Sequence, residues 1–161
     1  MRCLLETGWI NFRMRALLVS FLCHHLFQDW REGTYHLARL FLDYEPGIHY
    51  PQFQMQAGTT GVNLIRLYNP VKNSLDHDKE AEFIKRWLPE LSGLPLEFVH
   101  QPWLLNEMEQ AMYNFKYGTD YPKLIVDLNS AKENVRQLWE FRKENLVVSE
   151  NNRILKKHVK K

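Results

Sequence analysis

The chain has 161 residues, of which 45% are hydrophobic and 25% charged, and a net charge of +2. That is ordinary usage for one globular domain with a real core, and a charge so near neutrality makes no compositional case for nucleic acid. The two cysteines, Cys3 and Cys23, give no disulfide framework and read as buried thiols in a reducing cytosol. Aromatic residues make up 13% of the chain, which suits a planar ligand as well as a large core. No apolar run reaches the roughly 18 residues of a membrane span. Ala16 to Leu22 is flanked by Arg13, Arg15 and His24-His25, and no small-residue cleavage site follows it.

Apolar residues recur at spacings of three and four from Leu4 to Cys23, predicting one long helix over 2–27. It begins at the chain start with no preceding turn, as if the sequence opened inside an element. Asp29 is placed to cap a second helix, Trp30 to Phe41. Next comes LDYEPGIHYPQFQMQAGTTGVNLIRLYNP, Leu42 to Pro70, with turn formers at Pro46-Gly47, Pro51 and Gly58. It reads as a long non-helical binding loop on a helical scaffold. Lys79 to Leu88 is a short amphipathic helix with Phe83, Ile84 and Trp87 inward, stopped by Pro89. Ser92 to Val99 is extended, Leu104 to Phe115 helical, and Asp120 to Val126 an extended connector. Ser130 and Glu133 make a capping box for a last helix over 130–145. The basic tail, 149–161, reads as disordered. No alternating run is long enough for a sheet, so the class is mainly α, a helical bundle.

Several motifs run in order from end to end. They are Thr7-Gly8-Trp9 with Arg13-x-Arg15, Asp29-Trp30-Arg31-Glu32-Gly33, Leu42-Asp43-x-Glu45 and Arg66-x-Tyr68-Asn69-Pro70. Then follow Glu82-Phe83-Ile84-x-x-Trp87-Leu88-Pro89-Glu90-Leu91, His100-x-Pro102-Trp103 and Asp120-Tyr121-Pro122. Each is weak alone. Together, at these spacings, the chain resembles the C-terminal part of the FAD-binding domain of DNA photolyases and cryptochromes. The resemblance implies an all-helical domain over 1–148 holding FAD, with repair of pyrimidine dimers in DNA under blue light, or signalling without repair, or a non-functional fragment. It also implies that the serine- and threonine-rich phosphate cradle of such domains, and their antenna domain, lie outside this sequence. Gly58-Thr59-Thr60-Gly61 is the nearest phosphate-binding candidate within it, and it lacks a lysine or a following helix start. The first helix, with Leu5, Trp9 and Phe12, should then expose an apolar surface covered by the rest of the fold or by a second copy.

The resemblance assigns roles residue by residue. Arg15 and Asp43 match an ion pair against the flavin ring, where a fixed guanidinium suits the negative charge that a reduced flavin develops. Glu45 matches a second acid of the pocket, usually aspartate, and Asn11 falls beside the same site. His49 stands near the residue that faces flavin N5; the bland alternative is a loop histidine with a satisfied hydrogen bond. Trp30 matches the middle tryptophan of an electron relay, while the relay position nearest the flavin reads Phe53, which is much harder to oxidise. On the DNA side, Arg13 and Arg66 are kept as phosphate contacts. A lesion-stacking tryptophan reads Met55, a contacting methionine reads Ala16, and a His-Asn pair reads Asn11-Phe12. Stacking groups recognise a lesion and phosphate contacts position it, so the pattern is that of a divergent member. No metal is expected, and the expected partner is damaged DNA.

Overall fold

A computed structural model describes residues 1–60 and 64–158. Among them the regular structure is helical: ten α-helices, a π segment and two single 3-10 turns, with an isolated bridge between Tyr117 and Tyr121 as the one β pairing. The mainly α class expected from the sequence is what the chain adopts. Its Cα framework separates into two compact units, one built from residues 3–68 with the stretch from 126 onward, the other from 69–125.

In the first unit the expected single helix over 2–27 is three elements: α1 (Arg2–Thr7), α2 (Phe12–Ser20) and the π segment Phe21–His25. Gly8 breaks it. It takes a left-handed conformation with φ 68°, and a Cβ built there would sit 2.4 Å from Leu42 Cγ. Only glycine adopts that geometry without strain. Asn11 restarts the helix by accepting the Met14 N–H at 3.0 Å. Asp29 caps α3 (Trp30–Ala38), as expected, accepting from Arg31 N at 2.9 Å.

The segment read as a loop is the main correction. Pro46–Ala57 is a helix, α4, and residues 64–69 beyond it have no regular structure. Pro46 occupies its first turn, where the missing N–H has no partner to lose. Gly58, at φ 79°, closes it by donating to the Gln54 and Met55 carbonyls. Pro51 sits inside and removes one ladder bond. Helices α2 and α4 pack together, as do α3 and α4. Leu4, Ile10, Val19, Cys23, Leu37 and Phe53 form the buried core between them. Burial of a phenylalanine such as Phe53 contributes roughly 2–3 kcal/mol. Burial also pushes the Cys23 thiol up to about 12, with Asp29 adding to the shift, so it stays protonated. Cys3 is only partly buried.

Helix α9 (Ser130–Arg142) lies on the π segment, where Asn134 Nδ2 donates to the His24 carbonyl at 2.9 Å. The expected Ser130/Glu133 box does not form: Ser130 Oγ donates to Asp127 O, and Glu133 pairs with Arg136. A capping box does occur on Asn106 and Glu109, at the start of α8. The tail read as disordered is instead α10 (Asn145–His158); residues 159–161 and Gly61 lie outside the described residues.

The second unit holds α5 (Pro70–His77), α6 (Glu82–Trp87), α7 (Leu96–Val99) and α8 (Glu107–Met112) around Ala81, Leu91, Leu94, Val99, Leu105 and Phe115. Helix α5 was not expected. Asn69 caps it and Pro70 is its first residue. Part of the stretch read as extended over 92–99 is the short α7, and the helix expected over 104–115 is confined to α8. In α6, Ile84 packs on this core, but Phe83 is exposed and tilts against Trp87. Among the described residues no helix is long and apolar enough to cross a membrane.

Candidate functional site

A cavity in the first unit is walled by α2 and α4 and by the turn that follows α3. Arg15, Asp43, Glu45 and His49, four of the five residues assigned to the cofactor, line it. Its remaining walls are largely apolar, with Ala16, Val19, Phe41 and Phe53 buried. It encloses 140 Å³, close to the roughly 150 Å³ of a cavity that admits a benzene-sized guest. It can hold part of a fused ring, not a whole dinucleotide.

Arg15 is fixed from three directions. Nε donates to the Ile10 carbonyl at 2.9 Å, Nη2 donates to both Asp43 oxygens at 2.9 and 2.8 Å, and the guanidinium lies 4.1 Å over the Phe41 ring. Asp43 is placed by the turn after α3, where Leu42 N–H donates to the Gly8 carbonyl at 3.0 Å. The glycine that ends α1 therefore also locates the acid. Glu45 is the residue before α4, and its carbonyl accepts the His49 N–H at 2.8 Å.

His49 is buried on α4, ringed by Phe41, Tyr44, Tyr50 and Phe53, with Phe53 nearest at 4.7 Å between centroids. Its Nε2 donates to the Thr34 carbonyl at 2.9 Å. A carbonyl only accepts, so Nε2 carries a proton. The histidine thus satisfies the bland reading and lines the cavity as well.

The other assigned residues lie elsewhere. The Asn11 side chain is spent on capping α2 and does not line the cavity. Trp30, at the start of α3, lines a separate depression with Cys23, Phe27 and Leu138. Arg13 and Arg66 are exposed, and Met55 is half-buried outside the cavity wall. Ala16, assigned to the DNA side, is buried in the cavity wall. Leu5, Trp9 and Phe12 are exposed, as expected. Among the described residues no group of three or more His, Cys, Asp or Glu is placed to hold a metal ion. The lining residues not singled out from the sequence include Gln52 and Gln56, one turn apart on α4. Their i, i+4 spacing marks them as neighbours once the segment is recognised as a helix.

The family of the FAD binding domain of DNA photolyase matches residues 1–140. A deoxyribodipyrimidine photo-lyase of Alkalihalophilus pseudofirmus is 38% identical over 129 residues, 79% of this chain and 27% of that protein. A cryptochrome DASH of Natronomonas pharaonis is 36% identical over 130 residues, 81% of this chain and 27% of that protein. Among solved structures, a cryptochrome of Synechocystis sp. superposes with a TM-score of 0.79 at 34% identity, over 85% of this chain and 29% of that one. A bacterial class III photolyase of Agrobacterium tumefaciens gives 0.78 at 26% identity, over 87% of this chain and 30% of that one. The chain belongs to the photolyase and cryptochrome family, through its FAD-binding domain. FAD is the cofactor of that domain family, and the chain spans about a quarter of the length of these curated relatives.

The residues present fit one part of such a cofactor. Aromatic walls suit a flat ring, and Arg15 is a fixed cation at the edge. The buried Oε1 atoms of Gln52 and Gln56 have no hydrogen-bond partner in the protein.

Proposed function

We propose that this chain supplies the flavin-ring wall of a FAD site in a blue-light-dependent, photolyase-like protein that repairs pyrimidine dimers in DNA. The observation that carries the reading is the gathering of Arg15, Asp43, Glu45 and His49 around one aromatic-walled cavity. A bound flavin supplies one-electron chemistry on excitation by light. The chain's own residues hold and tune it. Arg15, clamped by Asp43, Ile10 and Phe41, keeps a cation where negative charge develops, and its three restraints spare reorganisation as that charge appears. Asp43 orients that cation. His49 is oriented by its Nε2–H bond to the Thr34 carbonyl, which turns the other edge of its ring away from that bond. Phe41, Val19 and Phe53 exclude water from the ring. Arg13 and Arg66, both exposed, are the cations for DNA phosphates.

A second reading is a cryptochrome-like photoreceptor that binds flavin without repairing DNA. Phe12, Met55 and Ala16 favour it, since they stand where the resemblance expects groups that contact a lesion, and Ala16 is buried in the cavity wall.

Flavin titration of the purified chain, followed by visible absorbance, tests the common part of both readings. Weak binding, reduced by Asp43→Ala, is expected; tight binding indifferent to Asp43→Ala would place the pocket elsewhere. Repair of dimer-containing DNA by the whole protein under blue light then separates the two.

A further inference from the structure

Two amides in the cavity wall carry acceptor oxygens that the fold leaves without a partner. Gln52 and Gln56 stand four residues apart on α4, on the same side of the helix. Both line the cavity, and Gln56 is only 4% exposed. The Oε1 atom of each is buried without a hydrogen-bond partner. An orphaned buried acceptor costs roughly 1–3 kcal/mol, and the apolar neighbours Val19, Phe41 and Phe53 have nothing to donate. Arg15 relieves neither: its Nε and Nη2 donate to Ile10 and Asp43, and no donor of the protein reaches either amide oxygen. A pair of costs of this kind within one cavity marks a place where a ligand completes the hydrogen bonding.

We infer that Gln52 and Gln56 recognise the imide edge of a flat heterocycle. A primary amide offers one acceptor oxygen and two N–H donors. Its complement is an N–H flanked by carbonyls, the edge that a flavin ring and a thymine base share. Two amides one helical turn apart can grip such an edge from its N–H and from a neighbouring carbonyl. The cavity's enclosed volume suits one end of a ring system, not a polyol chain or a diphosphate. The inference rests on the reading of this cavity as a ligand site, and it adds which edge of the ligand is read.

Ligand-side methylation tests this on the unchanged chain. The 161-residue protein is titrated with riboflavin and N3-methylriboflavin, and separately with a thymidine dinucleotide and its N3-methylated form. Loss of one buried hydrogen bond predicts roughly ten-fold weaker binding of the methylated ligand. In Gln52→Leu/Gln56→Leu that discrimination should vanish while the methylated ligand still binds. Discrimination within the flavin pair assigns the amides to the cofactor; discrimination within the thymidine pair assigns them to the nucleic acid base. Either supports the inference. If riboflavin binds but methylation weakens neither pair, the inference is overturned and the flavin reading stands. If riboflavin does not bind at all, the flavin reading fails, and the thymidine pair alone decides: discrimination there upholds imide recognition, and its absence overturns it.

Discussion

Arg15 holds Asp43 through a single nitrogen: Nη2 lies 2.9 Å from Oδ1 and 2.8 Å from Oδ2. The side chains keep 27% and 50% of their exposure, so this is not the buried pair that a finished flavin site would enclose. An ion pair with that much solvent contributes about 0–1 kcal/mol. Asp43→Ala should therefore cost less than about 1 kcal/mol of stability. Arg15→Ala should cost more, because it also loses the Ile10 hydrogen bond and the Phe41 stacking, together about 1–2 kcal/mol. Urea unfolding of both single variants and the double variant measures the coupling. A coupling above about 3 kcal/mol would show that the pair behaves as a buried one.

The helices were legible where apolar spacing and caps agreed, as at Asp29 before α3. They were misread where punctuation was ambiguous. Pro46, Pro51 and Gly58 are turn formers by type, yet Pro46 and Gly58 mark the two ends of α4. The same reasoning missed α5, whose Asn69-Pro70 start is a cap followed by a first-turn proline. Apolar periodicity ran across Gly8 because α1 and α2 bury residues of similar spacing, and only the backbone shows the left-handed break. The candidate site was legible as a set, since Arg15, Asp43, Glu45 and His49 converge. Gln52 and Gln56 were not, because neighbours at i, i+4 are invisible in a segment taken for a loop.

Gly8→Ala tests the link between the end of α1 and the site. The added Cβ meets Leu42 Cγ at 2.4 Å, and φ 68° is unfavourable for alanine by about 1–2 kcal/mol. Relief would move Leu42, whose N–H is bonded to Gly8 O, and with it the adjacent Asp43. The expected result is a stability loss of at least about 1 kcal/mol together with weaker flavin binding. A destabilised variant that binds flavin as the parent does would uncouple the turn from the site.

Asn134→Ala should show what holds α9 to the π segment. Its Nδ2 donates to the His24 carbonyl at 2.9 Å and reaches the His25 carbonyl at 3.5 Å. Removing the amide strands a buried carbonyl, at roughly 1–3 kcal/mol. Amide hydrogen exchange should quicken in α9 and residues 21–26 and stay unchanged in α3. Uniform quickening would mean that the contact is part of one global unfolding unit.

The two histidines of the π segment should make stability depend on pH. His24 and His25 are both buried, and burial is the main cause that pushes each imidazole below its ordinary value; for His24 the neighbouring His25 lowers it further, against the opposing effect of the nearby Ala57 and Arg66 backbone. The folded state therefore refuses protons that the unfolded chain accepts. Their contribution is fully present above the ordinary imidazole value, about 6.5, and is lost as pH falls through the lowered folded values. His25→Phe isolates one of them. Both His25 ring nitrogens lack partners, so no hydrogen bond is lost, and a phenyl ring can keep the edge-on contact with Phe21, 5.2 Å between centroids. At pH 7.5 the variant should equal or exceed the parent by up to about 1 kcal/mol. Below pH 6.5 its stability should fall less steeply with acid, the remaining slope there belonging to His24. Urea midpoints from pH 7.5 down to 5 measure this. An unchanged slope in His25→Phe would mean that His25 takes up its proton equally well in the folded and unfolded chain.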